Sequence, residues 1–272
     1  MTPPLRLIAR PSGEDGHRFE AEVAAASPLF TGHFPGHPIL PGIVHLALAR
    51  WALGEIRGRE VDLGAVRSLK LRRPISPGDT VEIQVGAPGA DGAVRFEVRC
   101  GSGVASQGVI ELREAAPVSN ADPEAAEIPS GSFPPPAALL PHRPPALLLN
   151  AVTEVAEGGI VAIAEVPPDH PLVADGRFPS FLALEAAAQA AAALEALGRR
   201  EGTGPRIGYL VGIRDARFSV PSLPAGRPFR VAARQTGGAF PLSVYAVRIG
   251  EIGEAGREPA AGTLSTFLLA DS

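Results

Sequence analysis

The stretch "TGHFPGHPILPGIVHLALARW" (31–51) changes character halfway. It opens by setting His33 and His37 among Gly32, Pro35, Gly36, Pro38 and Pro41, and from Ile43 it turns almost wholly apolar. Proline locks φ and removes a donor, while glycine admits backbone conformations closed to other residues. The opening therefore reads as a stiff loop, and Pro41 as the start of a buried helix running to about Gly54. A histidine pinned directly before a core helix is placed for chemistry. Yet no acid stands between Pro41 and Gly54 to work with it.

The same order of elements recurs downstream. A strand-like run, "RFEAEV" (18–23), precedes the histidine loop, and "GIVAIAEV" (159–166) precedes a second proline-led apolar helix, Pro179 to about Gly198. Each helix is followed by a strand broken by prolines: "LKLRRPISPGDTVEIQV" (69–85) and "DARFSVPSLPAGRPFRVA" (215–232). Alternating strands finish each half: "AVRFEVRC" (93–100) and "VIELR" (109–113), then "LSVYAVRI" (242–249) and "TLSTFLL" (263–269). Pro41 matches Pro179 at an offset of 138, whereas Pro74 and Pro77 match Pro221 and Pro224 at 147. An offset constant within an element and changed between elements marks duplication followed by loop insertion. One helix among several antiparallel strands, occurring twice, predicts two α+β units packed as a pseudo-dimer. Between them "EAAPVSNADPEAAEIPSGSFPPP" (114–136) lacks apolar periodicity and reads as an extended linker, stiffened by its last prolines. The expected units are residues 1–113 and 137–272.

Bulk composition narrows the function. A net charge of -4 over 272 residues argues against a nucleic-acid binder that works through a broad basic surface. Hydrophobic residues make up 45%, enough for a substantial core. Cys100 is the only cysteine, which excludes an internal disulfide and a cysteine-clustered zinc site and suits a reducing compartment. "MTPPLRLIAR" (1–10) has proline and charge where a secretory signal would be apolar. The most apolar helical stretch, "FLALEAAAQAAAALEALG" (181–198), contains Glu185, Gln189 and Glu195 and is short for a membrane span. The expectation is a soluble, cytoplasmic protein.

The segment "GHFPGHPILPG" (32–42) closely resembles the active-site segment of the bacterial 3-hydroxyacyl-(acyl-carrier-protein) dehydratases of the hotdog fold. "LRRPISPGD" (71–79) resembles the strand after that family's central helix, and "LLPHRPPALLLNAV" (139–152), "LALEAAAQ" (182–189) and "GIRDARFSVP" (212–221) resemble other segments of it. The likeness covers most of both halves but not the linker. It implies a double hotdog: two antiparallel sheets, each wrapped around a central helix and paired within one chain. In this family a histidine of one unit faces an acid on the central helix of the other, six positions after the helix-opening proline. That position is Ala47 in the first half and Glu185 in the second, with Gln189 one turn later. Conversely, "DHPLVADGRFPSF" (169–181) lacks the GHFPG element. The resemblance thus implies one complete site, His33 with Glu185, and one dead site, where Ala47 faces the surroundings of His170 and Pro171. Polyketide synthase dehydratase domains divide histidine and acid between halves in a similar way.

Dehydrating a 3-hydroxyacyl thioester requires removing a weakly acidic proton beside the carbonyl and expelling hydroxide. An imidazole is a suitable base near neutral pH, and a carboxylic acid can protonate the departing oxygen. The expected roles are His33 as base and Glu185 as acid, with Gln189 as an orienting hydrogen-bond partner. Gly42 lies at the helix start, where backbone N–H groups are unpaired, and is the expected oxyanion donor, a role the resemblance also gives it. Neither metal nor redox cofactor is needed. The substrate would be a thioester of acyl carrier protein or coenzyme A, in fatty-acid or polyketide-type synthesis. Competing expectations are an enoyl-thioester hydratase running in reverse, a hotdog thioesterase, and a non-catalytic acyl-binding or partner-supporting protein.

The remaining candidates read more plainly. His37 is expected at the rim, and His45, on a different helix face from Ala47, as packing or surface. In "RSLKLRR" (67–73), alternation puts Arg67 and Arg73 on one face and Lys70 and Arg72 on the other. These residues, like Arg214 and Arg217, suit either an acidic carrier protein or plain solvent. "LPHRPP" (140–145) reads as the proline-stiffened start of a short helix, with a structural part. Asn150 stands where the family usually has Asp. The chain is expected as a monomeric pseudo-dimer or as a further homodimer.

Overall fold

The computed structural model describes residues 6–13, 16–113, 133–199, 206–252 and 258–269. Residues 114–132 of the expected linker lie outside these. The first half contains β1 (Arg6–Gly13), β2 (Gly16–Glu22), α1 (Val44–Arg57), β3 (Leu63–Leu71), β4 (Thr80–Val85), β5 (Ala93–Cys100) and β6 (Gly103–Leu112). The second opens with a one-turn helix α2 (Pro136–Leu139), then β7 (Leu149–Ala156), β8 (Gly159–Ala164), β9 (Arg177–Pro179) and the long helix α3 (Ala183–Leu197). It ends with β10 (Gly208–Phe218), β11 (Ser222–Pro224), β12 (Phe229–Ala239), β13 (Leu242–Glu251) and β14 (Ala260–Leu268).

Twelve strands form one antiparallel sheet in the order β1-β2-β4-β5-β6-β3-β10-β14-β13-β12-β8-β7. Counted outward from the centre, β3, β6, β5, β4, β2, β1 match β10, β14, β13, β12, β8, β7 one for one. This is the duplication that the proline offsets anticipate, expressed as topology. At the join, Val66 stands opposite Ala216 and Leu69 opposite Ile213, all four buried, so the two halves share both a ladder and a core. The architecture is α+β, a double hotdog. The small pair β9–β11 lies apart from the large sheet.

Each helix is buried because its composition leaves almost no polar face. α1 sinks Val44, Leu46, Leu48 and Leu53, and α3 sinks Leu184 and a run of alanines against β7, β8, β12, β13 and β14. The segment Ser180–Leu197, expected to be short for a membrane span, is long and apolar enough for one by length and composition, but 67% of it is packed inside the molecule, as befits a core helix.

Two expectations need correction. Each half begins one strand earlier than its alternation suggests, with β1 before β2 and β7 before β8. Both extra strands are sheet edges with a single neighbour, and in β7 only Leu149 and Val152 are buried, which leaves little apolar alternation. β3 also departs from strict alternation. A bulge between Val66 and Ser68 exposes Arg67 although Leu69, of the same parity, is buried. Arg67 and Lys70 therefore both face outward, and Arg72 and Arg73 lie beyond the end of the strand.

Candidate active site

The histidine loop is held by its own backbone. A turn at Pro28–Phe30, capped by Ser27, lets the Phe30 carbonyl accept the His33 N–H, and Ile39 N–H donates to the His33 carbonyl at 3.0 Å. His33 Nδ1 donates to the Ile39 carbonyl at 3.0 Å, which fixes the tautomer and leaves Nε2 as the free ring nitrogen. The ring is buried and stacks on Phe34 with centroids 4.1 Å apart. Burial pushes its pKa below the usual histidine range, with the Glu185 carboxylate pulling the other way.

This loop is laced to the second half. Gly32 has φ +79°, and a Cβ there would lie 1.9 Å from the Arg143 carbonyl oxygen. Only glycine allows the approach. The Gly32 carbonyl in turn accepts the Arg143 N–H at 3.0 Å.

Glu185 sits in the first turn of α3, buried. Gln189, one turn on, donates from Nε2 to the Ala146 carbonyl at 2.8 Å and reaches Glu185 Oε1 at 3.5 Å. Its Oε1 accepts the Leu148 N–H at 2.9 Å. Gln189 thus ties α3 to segment 142–148 and also touches the carboxylate. One ligand atom each from His33, His142 and Glu185 all lie within 4.8 Å of one another, close enough to hold a metal ion between them. The structure therefore brings His33 and Glu185 together from opposite halves.

His142 is the residue that sequence reasoning missed. The segment "LPHRPP" is no helix start, because α2 ends at Leu139, before it. Instead its histidine enters the centre, with Nε2 3.8 Å from Glu185 Oε1 and its ring edge-on to His33 at 5.3 Å. Burial first, then His33 and Arg143, hold its pKa well below the usual range. The available signal was compositional: a histidine among prolines, as in the His33 loop.

A cavity opens from this centre between α3, the start of α1 and the joined strands β3 and β10. Glu185, Ala188, Gln189, Ala192 and Glu195 form its α3 wall, one face of the helix over about 15 Å. Alanine side chains leave that wall recessed. Gly42 lines the opposite side, where a Cβ would meet Leu71 Cδ1 at 2.7 Å, and among the described residues its N–H takes no main-chain carbonyl. Gly42 itself precedes α1, whose first helical residue is Val44.

The other candidates fall outside the centre. His37 is exposed and hydrogen-bonds Tyr209 Oη at 3.0 Å, bridging the halves at the cavity rim. His45 is a buried packing residue held by Ser106 at 2.8 Å, though it also borders the cavity. His170 Nδ1 accepts the Leu172 N–H, and Ala47 is buried in the core. Arg67 is tied to Asp91 and Glu111, whereas Arg72 and Arg73 are exposed at the cavity rim. Arg214, Arg217 and Asn150 lie on exposed sheet positions.

Solved structures share the whole architecture. The dehydratase domain of RzxB from Pseudomonas fluorescens superposes with a TM-score of 0.68 at 16% identity, over 97% of this chain and 98% of that one. The dehydratase domain of PpsC from Mycobacterium tuberculosis, solved with C12:1-CoA, gives 0.66 at 15% identity, over 99% and 100%. The molecule is thus a protein of the double-hotdog class. Residues 134–271 match the ApeP-like family, described as ApeP dehydratase, and residues 9–109 match the ApeI-like family, described as ApeI dehydratase. The chain belongs to the ApeP-like dehydratase family. It is also similar to the 3-hydroxyacyl-(acyl-carrier-protein) dehydratase FabZ of Latilactobacillus sakei, 43% identical over 92 residues. That match covers 30% of this chain and 66% of the relative. FabZ of Thermus thermophilus is 37% identical over 91 residues, covering 30% and 64%. In both, the match spans less than two thirds of the relative's own length.

Proposed function

We propose that this protein dehydrates 3-hydroxyacyl thioesters to trans-2-enoyl thioesters at a single composite site. The observation that carries this is the meeting of His33, from the first half, with Glu185, from the second, within 4.8 Å in a buried cavity. His33 Nε2 takes a proton from C2, the C2–H electrons form the C2–C3 double bond, and the C3–O bond breaks as Glu185 protonates the leaving oxygen, giving water. Negative charge gathering on the thioester oxygen is met by the Gly42 N–H at the open end of α1. Gln189 orients Glu185 and fixes the segment behind it. The recessed alanine wall of α3 makes room for the acyl chain. Arg72 and Arg73 at the rim suit the phosphates of a carrier-bound or coenzyme A thioester and the acidic face of a carrier protein. We place this work in the cytoplasm, in fatty-acid or polyketide-type synthesis.

The test is dehydration of 3-hydroxyacyl carrier-protein substrates of several chain lengths, followed by the rise of the enoyl product. His33→Ala and Glu185→Gln should each lose about 10²–10⁴-fold in rate. Full activity in Glu185→Gln rules out the composite site, and inert wild type across all chain lengths favours a non-catalytic acyl-binding protein.

A further inference from the structure

After each dehydration His33 holds the C2 proton and Glu185 has given its own to the departing water. The centre is then an imidazolium facing a carboxylate, and a second turnover needs a neutral imidazole and a carboxylic acid again. We propose that His142 is the relay that carries this proton from His33 back to Glu185, a role that rests on the dehydratase reading of the same site.

The geometry places His142 against both groups. Its ring meets His33 edge-on at 5.3 Å, and its Nε2 lies 3.8 Å from Glu185 Oε1. Closing that gap to hydrogen-bond length takes a side-chain shift of about 1 Å. Its Nδ1 is buried and has no hydrogen-bond partner among the described residues, although buried polar atoms nearly always find one. A structural histidine would spend that nitrogen on a carbonyl, as His33 does on Ile39. The ring also borders the acyl cavity.

Relaying demands a ring with one N–H and one free lone pair. Burial beside His33 and Arg143 keeps His142 neutral, so it has both. An already charged ring could accept nothing. In the step itself, the Nε2–H bond of His33 breaks as an Nδ1–H bond forms on His142. The Nε2–H bond of His142 breaks as an O–H bond forms on Glu185. His33 returns to neutral imidazole and Glu185 to the acid. His142 is left in its other tautomer, and exchange through the cavity, a proton taken up at Nε2 and another released from Nδ1, restores it. Replacing a buried charge pair by two neutral groups drives the transfer forward.

Single-turnover and steady-state rates separate this role from a structural one. Wild type, His142→Gln and His142→Asn would be mixed in excess with a 3-hydroxyacyl carrier thioester and quenched rapidly, then compared at many turnovers. The expected result is a single-turnover rate within about twofold of wild type, with kcat and KM both lowered about 10-fold or more and kcat/KM near wild type. Added imidazole should restore kcat in proportion to its concentration. A preserved single-turnover rate also shows that the variants fold. If both rates fall together, or neither changes, the relay is refuted while the dehydratase reading stands. Inert wild type in the single-turnover mixture overturns the dehydratase reading, and the relay with it.

Discussion

In the proposed dehydration a proton is taken from carbon and another given to oxygen within a few ångströms, and burial decides which side chains are ready to do so. His33 is held below its usual pKa by burial, so it stays a neutral base to lower pH than an ordinary histidine. The acid limb of the dehydration rate should accordingly fall below pH 6.5, the value for an unperturbed imidazole. The same burial links folding to pH. His45, fully enclosed, has its pKa lowered to about 4 from 6.5. Between those values the unfolded chain binds a proton that the folded chain refuses, so stability rises with pH across this window and is lost as pH falls toward 4. The whole interval is worth about 3 kcal/mol. Urea unfolding of wild type and His45→Gln at several pH values measures it. The variant should show a shallower decline between pH 6.5 and 4, and parallel curves would refute the assignment.

At the scale of elements, the site depends on how the histidine loop seats against segment 142–148. Gly32 makes that seat: its positive φ and its contact with the Arg143 carbonyl leave no space for a side chain. Gly32→Ala should displace the loop, pull His33 away from Glu185, and lower activity at least about 10-fold. Gly36 is the control. It also has positive φ, +76°, but a Cβ there meets nothing within 4 Å. Gly36→Ala should cost about 1 kcal/mol of backbone strain in thermal unfolding and leave activity near normal. Equal loss of activity in the two variants would show that the close approach at Gly32 is not what matters. The helices were legible in the sequence because their apolar runs are long and led by proline at Pro41 and near Pro179. The edge strands β1 and β7 were not, because a strand with a single neighbour need carry little apolar alternation.

At the scale of the molecule, the two halves repeat one topology, and of the two matching helix positions one is Ala47 and the other Glu185. Ala47 lies in the core where Glu185 has its counterpart, and the second half lacks the GHFPG loop. On the proposed reading this leaves one active site per chain. A 3-alkynyl thioester that alkylates the catalytic histidine, followed by intact-mass measurement, should add one equivalent per chain, on His33. Two equivalents would contradict the asymmetric site.

The sequence by itself determined the repeat and the two core helices, because each is written in local signals, prolines at constant offsets and apolar runs; the resemblance of the histidine loop to the dehydratase segment added the expectation that His33 meets Glu185, and the structure brings the two side chains close. His142 was decided by tertiary structure alone. Segment 140–145 looks like any proline-stiffened turn until the Gly32 carbonyl accepts the Arg143 N–H and Gln189 grips Ala146 and Leu148. The depressed pKa values of His33 and His142 were likewise invisible, since desolvation depends on what the other half packs against them. Distance along the chain carries no information about such contacts. Only closure of the continuous sheet across β3 and β10 brings the groups together.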